Sequence, residues 1–77
     1  NPFNPISTAE YSLSENSQIE LYIYNVKGEK IEKLYTGYKN AGSHQMIWNA
    51  KNHPSGMYFF TLSSNSEIHT QKLLLLK

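Results

Sequence analysis

Three histidines, His44, His53 and His69, are the side chains best suited to hold a transition metal, but they stand 9 and 16 residues apart. No cysteine accompanies them, and no second ligand type sits at the short spacings that bring two donors to one ion. A zinc site is therefore not expected. Glu29 and Glu32 flank a turn as a possible acid and base, yet glycoside hydrolysis needs a substrate cleft that a chain of 77 residues scarcely provides. Serines are numerous, but there is no Gly-x-Ser-x-Gly elbow and no aspartate to orient a histidine, so acyl transfer lacks two of its parts. Tyr22, Tyr24, Tyr35 and Tyr38 are the more serious set. Rings on the outer face of a strand can stack on sugars, which allows a carbohydrate-binding or adhesive module, although cross-strand pairing alone also favours tyrosine there. No catalytic residue, metal or cofactor is expected.

The elements that would carry these side chains belong to one small unit, since a domain of this length buries only about 60% of the surface its unfolded chain exposes. Hydrophobic residues make up 39% and charged residues 17%, too apolar and too weakly charged for disorder. The seven lysines and six glutamates leave a net charge of +1, with neither arginine nor aspartate, and the lysines are spread from Lys27 to Lys77. Without a coherent basic face or the bidentate guanidinium, nucleic acid is not an expected partner. No run approaches the roughly 20 apolar residues that span a bilayer. The absence of cysteine fixes no redox compartment. Beginning at Asn1-Pro2-Phe3, the chain reads as a piece of a longer polypeptide, with residues 1–6 as a linker exit and residues 7–77 as one domain.

Periodicity assigns strands and no helix. Ser7 to Leu13 alternates with Ala9, Tyr11 and Leu13 on one face. Gln18 to Tyr24 places Ile19, Leu21 and Ile23 inward and Glu20, Tyr22 and Tyr24 outward. Asn25 to Glu29 holds a Gly28 able to take positive φ in a hairpin, and Ile31 to Tyr35 returns as its partner. Ile31 and Leu34 are three apart, which breaks strict alternation and requires a bulge or an edge position. His44 to Trp48 follows, with Trp48 as the core anchor. The loop NAKNHPSG is turn chemistry, after which Met57 to Leu62 and Ile68 to Leu76 close the chain. Six or seven short strands between turns predict an antiparallel sandwich. Within it, Tyr58 stands two residues ahead of Phe60, the spacing of a tyrosine corner, with Phe60 where immunoglobulin domains carry a cysteine. At the end, Lys72-Leu73-Leu74-Leu75-Leu76-Lys77 sets four leucines between two lysines. Successive side chains of a strand alternate faces, so one leucine pair must point away from the core and suits strand addition by a partner.

Four blocks in this order, NPFNP, YNVKGEKIEKL, AGSHQMIWNAKNHPSGMYFFTL and QKLLLLK, resemble the C-terminal sorting domain, type A, of the type IX secretion system of Bacteroidetes. The resemblance covers essentially the whole chain. It implies an immunoglobulin-like β-sandwich that addresses an upstream cargo, through the periplasm, to the outer-membrane translocon and its shuttle proteins, for release or cell-surface attachment. It also implies that in many members a sortase-like cysteine peptidase cuts upstream of NPFNP and joins the cargo to anionic lipopolysaccharide. Carried over by position, the N-terminal motif falls on Asn1, Pro2, Asn4 and Pro5, and the P-x-G-x-Y block on Pro54, Gly56 and Tyr58. The terminal recognition signal falls on Lys72, Leu73, Leu74, Leu75, Leu76 and Lys77. The family often has leucine where this chain has His53, which is read as a loop surface residue. The same sandwich is similar to the immunoglobulin-like domain of a flagellar hook-assembly scaffold.

Overall fold

Each alternating segment of the sequence forms a strand in the computed structural model, which describes residues 6–65 and 67–76. The order is β1 (Ile6–Leu13), β2 (Ser17–Tyr24), β3 (Lys30–Lys39), β4 (Gly42–Asn49), β5 (Gly56–Ser63) and β6 (Ile68–Leu75). No helix occurs among the described residues. β1 and β4 form a two-stranded sheet, and the second sheet runs β3-β2-β5-β6, with every pair antiparallel. Lettered as in an immunoglobulin sandwich, the six strands take the places of B, C, C′, E, F and G. B lies against E, and C′, C, F and G follow one another in the opposite sheet.

The core is what alternation requires. Ala9 and Leu13 of β1, Met46 and Trp48 of β4, Ile19, Leu21 and Ile23 of β2, Tyr58, Phe60 and Leu62 of β5, and Leu73 and Leu75 of β6 are all buried. Tyr11 of β1 meets Phe60 of β5 at a ring separation of 6.1 Å, so an aromatic contact joins the two strands that a disulfide links in antibody domains.

β3 is longer than the alternation of Ile31 to Tyr35 predicts, and the reason lies in its register. Leu21 faces Tyr35 while Tyr22 faces Lys33, and Ile23 faces Glu32 while Tyr24 faces Lys30. Leu34 and Ile31 are thus the two residues left without an opposite number, each a bulge on an edge strand. Each extra residue resets the phase of the strand, which lets Ile31, Leu34 and Tyr35 all pack against the core despite their spacing. The β2–β3 turn is closed by Asn25, whose side-chain oxygen accepts from the backbone N–H groups of Lys27 and Glu29 at 2.9 and 3.0 Å. Gly28 sits there at φ 82°, the left-handed region that a side chain disfavours.

Candidate functional site

The loop between β4 and β5 is fastened by side chains that the sequence places there. Tyr58 donates its phenol hydrogen bond to the Pro54 carbonyl at 2.6 Å, which is the tyrosine corner expected from its position ahead of Phe60. Gly56 opens β5 at φ 155° with open space where a Cβ would stand, so glycine is required there by backbone conformation rather than by crowding. Trp48 is fully buried, and its indole N–H donates to Glu32 Oε1 at 2.9 Å. The same carboxylate oxygen lies 3.4 Å from His53 Nε2. The Trp48 ring lies 5.5 Å from His53 and 5.1 Å from Tyr58, centre to centre.

Two expectations are corrected at this corner. His53 is half-buried against aromatic rings rather than a surface residue, because it occupies space between β3 and the loop. Glu32 is not a merely solvated charge, because it accepts from the only side-chain N–H of buried Trp48, and a buried indole donor left unpaired is costly. Neither could be read locally, since Glu32 and Trp48 are 16 residues apart in the chain.

At the far side of the same sheet, β6 alternates as the leucine run requires. Leu73 and Leu75 are buried, whereas Leu74 and Leu76 are 65% and 59% exposed. β6 pairs with β5 in unbroken register from Ser63–Ile68 to Gly56–Leu75, and among the described residues no strand lies beside its other edge. Leu74 lies opposite Met57 of β5, itself partly exposed, so the apolar surface extends one strand inward. Met57 was legible only as a strand residue; its role in the patch follows from the register. Lys72 lies in β6 opposite Phe59, whereas Lys77 and the N-terminal residues Asn1, Pro2, Asn4 and Pro5 lie outside the described residues.

Of the four tyrosines only Tyr38 is exposed, at 59%, so the set does not form one open platform. Tyr22, expected to face solvent, is only 9% exposed, because the Lys30 ammonium sits 3.8 Å above its ring and Tyr24 packs at 6.4 Å edge-on. Tyr35 is likewise engaged, donating to the Tyr38 carbonyl with Lys39 above its ring. His44 stacks on Tyr11 at 5.4 Å and His69 contacts Glu67, so the three histidines occupy three separate places. Burial, reinforced by neighbouring Tyr35, raises the Tyr11 pKa above its ordinary value of 10.0.

A family model described as a secretion system C-terminal sorting domain matches residues 1–76. No curated protein and no solved structure matches the chain.

Proposed function

Because the chain belongs to the family of type IX secretion C-terminal sorting domains, we propose that residues 7–77 are one non-catalytic sorting domain, entered through residues 1–6, that directs a preceding cargo from the periplasm through the outer-membrane translocon. The alternating leucines of β6 carry the reading. Leu73 and Leu75 complete the core, and Leu74 and Leu76 remain outside it at a sheet edge that no described strand covers, available to the translocon or a shuttle protein. Lys72 and Lys77 frame this signal. Asn1, Pro2, Asn4 and Pro5 form the junction with the cargo, upstream of which a sortase-like cysteine peptidase removes the domain in members attached to the cell surface. Trp48, Pro54, Gly56 and Tyr58 serve the signal indirectly, by holding the β4–β5 corner and thus β5, on which β6 is laid.

The two roles within the leucine run set the form of the test. Removing the whole run would also remove two core residues, so loss of export would not distinguish a missing signal from an unfolded domain. In a secreted reporter carrying this domain, Leu74→Ser with Leu76→Ser leaves the core intact, and the reporter is expected to accumulate in the periplasm with the domain folded. Undiminished export of that variant would remove β6 as the signal.

A further inference from the structure

Val26 stands in the β2–β3 turn with 68% of its surface exposed, and the turn itself does not require it. The Gly28 N–H donates to the Asn25 carbonyl at 3.0 Å and the Asn25 side chain braces the same turn, so a polar residue between them would serve the fold better. Val26 instead lines a recess of about 290 Å³ with Ile31, Pro54, Met57 and Tyr58, between this turn and the β4–β5 loop. Met57 belongs to two surfaces at once, because it also lies opposite Leu74 of β6. The exposed apolar surface of β6 therefore continues over β5 to the turn. Lys27 lines the recess, where there is no carboxylate, and Lys72 stands two residues before Leu74 on the same outward face of β6. Neither lysine is ion-paired among the described residues.

Given the sorting role proposed above, on which this rests, we infer that the partner of the β6 patch is an acidic polypeptide segment that places an aromatic side chain in this recess. The volume of about 290 Å³ falls below the roughly 300–1,000 Å³ of small-molecule sites and suits one bulky side chain. An aromatic ring is the group these walls favour, since the Met57 thioether is a good neighbour for a ring and Val26 and Ile31 supply apolar contact. Rigid rings are also the usual anchors where one chain grips another. Carboxylates beside the ring answer Lys27 on one side of the surface and Lys72 on the other. A bilayer would also meet leucine and lysine, but a fluid surface gains little from a walled recess.

The test places a photo-crosslinking amino acid at position 26 of the chain on an exported cargo in living cells, where the exposure of Val26 allows the exchange, and compares it with position 74. Position 26 should capture the component that position 74 captures. Mass spectrometry of the adduct should find an aromatic residue in the captured segment with aspartate or glutamate beside it. Val26→Ser with Met57→Thr should lower export roughly fivefold, the effect of losing one anchored side chain, and Lys27→Glu should lower it less, with the urea midpoint read by Trp48 fluorescence unchanged. Capture from position 74 but not from 26 would overturn the anchor and leave the sorting role in place, whereas capture from neither would remove both. Adducts from position 26 to lipid, to residues 1–5 of the same chain, to a second copy, or to a segment without aromatic or acidic residues would each overturn the proposal.

Discussion

β3 and β6 are the two edges of one sheet, and they are finished in opposite ways. β3 carries Lys30, Lys33 and Lys39, two bulges, and ammonium groups laid over tyrosine rings. These are devices by which natural sheets prevent a further strand from adding. β6 has no bulge, one lysine in its span, and exposed Ile68 and Leu74, with Leu76 just beyond its end. A regular edge that exposes leucine and isoleucine and carries a single lysine is a liability unless something is meant to meet it. The contrast teaches that exposure of leucine at β6 is not a general property of a small sandwich, because the same sheet protects its other side.

Making β6 resemble β3 should give the largest effect. Leu74→Lys with Leu76→Lys is expected to lower export of a fused cargo at least tenfold while changing unfolding free energy by no more than about 0.5 kcal/mol, the usual range for surface substitutions. Urea denaturation followed by Trp48 fluorescence checks the second half of that statement.

Damage at the corner should lower export less, and by another route. Gly56→Val forces a β-branched residue into a positive-φ conformation, with an expected loss of about 1–3 kcal/mol. Export should then fall in proportion to the unfolded fraction and recover at lower temperature, which the β6 variant should not do. Tyr58→Phe, which removes the hydrogen bond to Pro54, should cost roughly 1 kcal/mol and leave export nearly unchanged.

Much of this contrast was legible in the sequence. The alternation of Ile19, Leu21 and Ile23 and the leucine run fixed which faces turn inward, and the Tyr58–Phe60 spacing located the corner. What could not be read depended on partners distant in the chain or on a broken period. The spacing of Ile31 and Leu34 did signal a bulge or an edge position, and β3 has both, but which residues are the extra ones could not be read because a bulge is defined only against the partner strand. Tyr22 was expected outside, and it does point to the outer face; the long stem of Lys30 covers it, a contact that period-two reasoning does not contain. Glu32 looked like a solvated charge until the fold brought Trp48 to it.

Releasing the other edge should produce a smaller change. Lys33→Val with Lys39→Val is expected to create weak, concentration-dependent self-association, visible by sedimentation, without altering export. The smallest effect concerns Tyr11. Its folded pKa is raised, so the stability this confers is fully present below pH 10.0, the ordinary tyrosine value, and is lost as pH rises from there through the higher folded value. Tyr11→Phe should flatten the alkaline limb of the stability profile measured by urea denaturation.

The most direct measurement places a photo-crosslinking amino acid at position 74 or 76, or at position 33 on β3, in a cargo being exported by living cells. The β6 positions should capture an outer-membrane component of the secretion system and position 33 should not. Capture from position 33 with none from 74 or 76 would contradict the account.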